Sequence, residues 1–181
     1  MLLNIVWMVN NLNMKKTLFE CLYGLLAVAL LTFIDQITKI LAVSHLSDGP
    51  FTLIKGVFEL RYINNYGAAW GILSGKRAFF IIITVIIMLI FSYIYFKTPK
   101  NKYYTQLLFC ELLLVSGALG NFIDRVWLGY VRDFLYFSLI DFPIFNIADC
   151  YVVISAIWLA ILVLFVYKDE DLNFLSKKKK R

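Results

Sequence analysis

Four apolar runs, at about 19–41, 78–96, 104–123 and 145–167, divide the chain, and each is near the roughly 20 residues a helix needs to cross a bilayer. The first has no small-residue cleavage site at a suitable place, so it reads as a span and not as a cleavable signal peptide. Pro99, with Lys97, Lys100, Asn101 and Lys102, makes a short polar connection between the second and third runs, and Pro143 stands just before the fourth. The stretch from about Ser44 to Lys76 is too long for a simple helical hairpin. Within it Phe58, Leu60 and Tyr62 alternate with Val57, Glu59 and Arg61, which predicts a short sheet over Phe51 to Asn64. Asn65, Gly67 and Gly71 then mark a bend where the backbone comes close to something.

Composition agrees with a membrane-embedded chain: 61% of the 181 residues are hydrophobic and 17% charged, against roughly half and a quarter in soluble domains. That length leaves room for one unit, a single membrane-embedded domain over residues 1–181. Residues 1–13 precede Met14, Lys15 and Lys16, a start-like methionine followed by positive charge, and read as an alternative start.

An even number of spans puts both termini on one side. Lys15, Lys16, Lys97, Lys100, Lys102, Lys168, Lys177 to Lys180 and Arg181 collect there, which makes that side cytoplasmic. The basic C-terminal run reads as a topology anchor near anionic lipid, and no nucleic-acid partner is expected.

Cys21, Cys110 and Cys150 are odd in number and lie in or beside apolar segments, so no disulfide framework is implied. His45 is the single histidine, and neither a metal site nor a cofactor is expected.

The chemistry concentrates between Gly117 and Asp149, where Asp124, Asp133, Asp141 and Asp149 lie between two apolar runs. A carboxylate at the hydrocarbon boundary persists only if paired, wetted or used. Asp133 and Asp149 are candidates for an aspartyl protease dyad, because two close carboxyls sharing one proton supply an acid and a base for activating water against an amide. Asn146 and Asp149 also have the spacing of a helix-capping pair. Asp133, expected in a loop, is what turns the reading from cap to chemistry.

Asp35 and Lys39 stand four apart on the first helix and suit a buried structural ion pair. With the helix ending near Leu41, Asp35 lies roughly 9 Å inside that end. Gly117 and Gly120 give the third span a close-packing face. Asn121 and Arg125 project donors toward the outer face, and the arginine fork suits a carbonyl, a lipid phosphate or a neighbouring aspartate equally well. A dyad of Ser116 and Lys39 fits less well, since nothing prepares either group. Glu111 has no assigned role beyond a pairing with Lys102.

Five blocks in order, DQITK at Asp35 to Lys39, NYGAAWG at Asn65 to Gly71, GNFIDR at Gly120 to Arg125, VRDF at Val131 to Phe134 and FNIAD at Phe145 to Asp149, resemble the lipoprotein signal peptidases, or signal peptidase II. The resemblance implies a mostly α integral membrane fold, a four-helix bundle with a small extracytoplasmic sheet and a short outer helix. It implies cleavage of prolipoproteins on the N-terminal side of a diacylglyceryl-modified cysteine. It further implies catalysis by Asp133 and Asp149, and support from Asp35, Lys39, Asn65, Asn121, Asp124, Arg125 and Asn146, to which the bend adds Gly67. It also implies a monomer of the bacterial inner membrane in contact with lipid, its site at the outer face, open to globomycin-type inhibitors. Trp70 replaces a usual phenylalanine and the linker from Asp133 to Asp149 is short. Without the blocks, a proton- or ion-coupled transporter or a non-enzymatic tetraspan assembly protein would be the rival readings.

Overall fold

The computed structural model describes residues 2–68 and 72–175, with residues 2–18 described by their backbone alone. Trp70, Gly71, Met1 and the basic run Lys177 to Arg181 lie outside the described residues, as do the side chains of Met14, Lys15 and Lys16.

The four apolar runs are helices: α1 (Leu2–Leu46), α2 (Arg77–Lys97), α3 (Thr105–Trp127) and α4 (Ile147–Ile161), which a π turn over Leu162–Val166 prolongs. Among the described residues, the segments apolar and long enough to cross a membrane are Phe19–Leu46, Arg77–Lys97, Lys102–Trp127 and Ile147–Val166. The alternative-start segment continues α1 without a break from Leu2. Because α1 runs on to Leu46 instead of ending near Leu41, Asp35 lies about 16 Å from the helix end, and not about 9 Å, at 1.5 Å per residue.

The bundle is built around α3, which packs against α1, α2 and α4, while α2 buries no residue of its own. Small residues allow this crowding. A Cβ on Gly117 would collide with the Ala148 carbonyl of α4, and one on Gly120 with the Asp35 carboxylate of α1. The apolar side chains left exposed on the helices are those that meet lipid in a membrane-spanning chain.

One end of the bundle carries an antiparallel sheet in the order β1 (Phe51–Ile54), β2 (Phe58–Asn65) and β3 (Val131–Tyr136). The first two strands lie where the alternation predicts them. Asp133, expected in a loop, instead lies in β3, opposite Ile63 of β2. The expected short outer helix is a single 3-10 turn at Ser138–Ile140. Phe134, Ala42 and Leu46 form the core between sheet and α1, with Leu60, Tyr62, Leu135 and Ile147 packed on it. A second core, Leu107, Cys110, Leu162 and Tyr167, closes the opposite end.

Candidate active site

Asp133 reaches the site because strand residues alternate in direction. Val131 and Asp133 share one buried face, while Arg132 and the equally buried Phe134 point to the other, toward α1. Asp149 arrives on the first turn of α4, where Asn146 caps the helix. The Asn146 side chain accepts from the Asp149 N–H at 3.0 Å and the Asn146 N–H donates to Asp149 Oδ2 at 3.1 Å. The capping geometry that competes with chemistry in the sequence is therefore present, and it also aims Asp149 at its partner.

Asn146 is wholly buried and joins the two acids, for its Nδ2 donates to Asp133 Oδ1 at 2.6 Å and to Asn121 Oδ1 at 3.1 Å. Asn65 Nδ2 donates to the other Asp133 oxygen at 2.8 Å, and Asn121 Nδ2 to Asp149 Oδ1 at 2.7 Å. Burial, and then the Asp149 charge, push the Asp133 carboxyl up to about 7, against the pull of Asn65 and Asn146.

Beneath the dyad lies a layer of full ion pairs. Lys39, without solvent exposure, meets Asp35 at 2.9 Å and Asp124 at 3.6 Å, and donates to Asn121 Oδ1 at 2.9 Å. Asp35 also accepts from the Ala148 N–H at 2.9 Å, so it holds the start of α4. Asp124 grips β3 through Arg132, accepting from its backbone N–H at 3.0 Å, Nε at 3.1 Å and Nη2 at 2.6 Å. Gln36 closes the layer, donating to Asp124 at 3.2 Å and accepting from Arg132 at 2.8 Å. Sequence reasoning misses Gln36 and Arg132, although they lie inside the DQITK and VRDF blocks. Arg132 adjoins Asp133, and strand alternation would have placed it on the face of Asp124.

Arg125 makes the carbonyl contact among its open options, donating to Gly67 O at 3.3 Å, and its guanidinium lies 4.7 Å over the Phe80 ring. Asn65 accepts from the Gly67 N–H at 2.9 Å and so shapes the same bend. Asp141 lies apart, accepting from the Tyr136 hydroxyl at 2.6 Å on the surface. Glu111 accepts from Thr98 at 3.0 Å and, among the described residues, makes no ion pair with Lys102, which corrects the expected pairing.

The dyad, Asn65, Gly67, Asn121 and Arg125 line a cavity of about 520 Å³ whose other walls are apolar, among them Val131, Phe142, Ile144, Val153 and Ile154. That size lies in the usual range for small-ligand sites. Among the described residues, no three His, Cys, Asp or Glu side chains are placed to hold a metal ion.

A family model described as Signal peptidase (SPase) II matches residues 26–165, a span that includes every residue of this site. The chain belongs to the signal peptidase II family. Its similarity to other members is broad. It is 43% identical over 144 residues to the lipoprotein signal peptidase of Caldanaerobacter subterraneus subsp. tengcongensis, covering 78% of this chain and 96% of that one. It is 40% identical over 161 residues to the lipoprotein signal peptidase of Streptococcus pyogenes serotype M5, covering 87% and 98%. Two bacterial membrane enzymes solved by the in meso method are similar in structure. One has a TM-score of 0.70 at 37% identity, with 88% of this chain and 94% of the other covered, and the second has 0.69 at 38%, with 80% and 94% covered. A signal peptidase II with four apolar helices and such relatives is a protease and a bacterial membrane protein. These matches give no support to a transporter or an assembly protein.

Proposed function

We propose that the chain is an aspartic endopeptidase that removes signal peptides from prolipoproteins, with Asp133 and Asp149 as its catalytic pair. The observation that carries this is the bridging of one buried and one half-buried carboxyl by Asn146 at the wall of an apolar cavity. Substrate is cut on the N-terminal side of a diacylglyceryl-modified cysteine, and the apolar walls suit both its acyl chains and the signal-peptide side chains beside the scissile bond.

The pair holds one proton between its two carboxyls. The ionised carboxyl takes a proton from water as the water oxygen bonds to the scissile carbonyl carbon, and the protonated one gives its proton to the carbonyl oxygen. When the tetrahedral intermediate collapses, the C–N bond breaks, the amine of the modified cysteine leaves with the proton of one carboxyl, and the other carboxyl takes a proton from a hydroxyl of the intermediate, which leaves the product acid and restores one proton to the pair. Asn65, Asn121 and Asn146 fix the carboxyls through neutral N–H donors, leaving the proton free to move. Asp35, Lys39, Asp124 and Arg132 act through position, holding the start of α4 and β3 in register.

The whole chain acts as one membrane-embedded domain and as a monomer in contact with lipid, and a globomycin-type cyclic peptide occupies the same cavity. The excess of lysine at the termini and between α2 and α3 supports cytoplasmic termini and an outward-facing site. In a background without the native cysteines, Leu128→Cys and Ser47→Cys should react with an impermeant thiol reagent on intact spheroplasts and Ser176→Cys should not. Labelling of the Ser176 position alone reverses the orientation.

The catalytic reading is tested with purified protein and a synthetic diacylated lipobox peptide. Cleavage by wild type and none by Asp133→Asn or Asp149→Asn supports it, whereas near wild-type turnover by either variant removes the pair from the mechanism.

A further inference from the structure

At the end of the bundle away from the sheet, α1 and α2 both pack on α3 and, among the described residues, hardly touch each other, which leaves a cleft between them. Its mouth, about 710 Å³, has polar groups of both signs, Lys100 and Lys102 beside Glu20. A smaller cavity of about 150 Å³ lies farther along, lined by Gly24, Phe96, Leu112 and Glu111. Tyr95 lines both and ties the helices together by donating to the Glu20 carbonyl at 3.3 Å. A Cβ on Gly24 would stand 2.6 Å from the Tyr95 hydroxyl, so the glycine lets the ring lie this close to α1.

Two features mark this cleft as a built site. Lys100 is held in place, donating to the Tyr95 and Thr98 carbonyls with its ammonium 3.8 Å over the Tyr95 ring, and a third N–H is left for a ligand. Glu111 is 1% exposed, and while one of its oxygens accepts from Thr98, the other has no hydrogen-bond partner among the described residues. A buried carboxyl oxygen without a donor is destabilising, and a ligand that donates to it removes that cost. Glu111 lies only about 9 Å from the start of α3 at 1.5 Å per residue, within reach of a headgroup.

We propose that this cleft binds one phospholipid of the adjoining leaflet, whose phosphate meets Lys100 and Lys102 and whose headgroup donates hydrogen bonds to Glu20 and Glu111. An acyl chain follows the apolar wall past Phe96 and Leu112. The chemistry required is a phosphate plus an O–H or N–H donor, as in phosphatidylglycerol or phosphatidylethanolamine. Phosphatidylcholine has the phosphate without a donor. The site is separate from the catalytic cavity and does not rest on the proposed peptidase mechanism.

The test is the thermal midpoint of the full chain in lipid-free detergent, with each of these three lipids or with glycerol 3-phosphate added. Phosphatidylglycerol and phosphatidylethanolamine should raise the midpoint by on the order of 5 °C and phosphatidylcholine by less than half as much. Glycerol 3-phosphate should give no shift. Glu111→Gln, which puts a donor where the free oxygen was, should reduce the phosphatidylglycerol shift to the phosphatidylcholine value. Lys102→Gln changes only an exposed side chain, keeps peptide cleavage, and should reduce the shift by about half. Equal shifts for the three lipids, a full shift in Lys102→Gln, or the same shift from glycerol 3-phosphate would each overturn the proposal.

Discussion

Two pairs of aspartates lie in adjacent layers of this site and differ in the partners they are given. Asp35 and Asp124 meet permanent cations, Lys39 between them and Arg132 on the outer side of Asp124. Asp133 and Asp149 meet amide donors from Asn65, Asn121 and Asn146 and from the Asn146 backbone. A cation cancels the charge and fixes the carboxylate in place, which makes a strut. An amide orients the carboxyl without cancelling its charge, so two such groups repel and one of them keeps a proton near neutrality. The same side chain is structural in one layer and reactive in the next because of what donates to it.

The largest expected effect falls on the amide-held pair. Asp133→Asn and Asp149→Asn should each lower the turnover of a lipidated peptide by about a hundredfold to ten-thousandfold or more, while the proteins still insert and bind a globomycin-like peptide. Loss of both folding and ligand binding in these variants would mean that the pair is a strut like its neighbour.

The cation-held pair should fail the other way. Asp35→Asn leaves Lys39 facing Asp124 alone at 3.6 Å, with a destabilisation of about 3–5 kcal/mol for a broken buried pair. The loss should be seen as lower yield and a lower thermal midpoint at least as clearly as in turnover. The double variant Asp35→Asn/Lys39→Met should recover part of that stability. A single variant of wild-type stability and low activity would instead move Asp35 into the chemistry.

A smaller effect separates the layers by pH. The Asp133 carboxyl is raised from 3.8 to about 7 in the fold, so the folded chain binds its proton more tightly than the unfolded chain does. Its contribution is then fully present below about pH 4 and is lost as pH rises through about 7. Asp133→Asn, neutral throughout, should therefore gain stability relative to wild type between pH 4 and pH 8, by on the order of 1 kcal/mol or more. Parallel melting curves of the two proteins across that range would show that the carboxyl is not raised.

The smallest expected effect is none. Prolonged EDTA treatment should leave peptide cleavage within about twofold of the untreated rate, since proton transfer between two carboxyls is the chemistry proposed. Loss of activity restored by zinc would replace both carboxylate roles with a metal mechanism.

The chain by itself determined what is local or continuous. The spans were legible because hydrocarbon demands about twenty apolar residues in a row, although their ends at Leu46 and Trp127 were not, since polar residues can prolong a helix beyond the apolar run. The Asp35–Lys39 pair and the Asn146–Asp149 cap follow from helical spacing alone. Tertiary structure decided the rest. VRDFLY became a strand because β2, about seventy residues upstream, offers its edge, and that pairing sends Arg132 to Asp124 while Asp133 turns inward. Only the packing of α3 against α1, α2 and α4 could set Asn146 between the two acids, share Lys39 between two aspartates, and give Glu111 to Thr98 and not to Lys102. Such contacts depend on which faces meet, and an amide donor or a buried cation has no periodic signature from which its partner can be read.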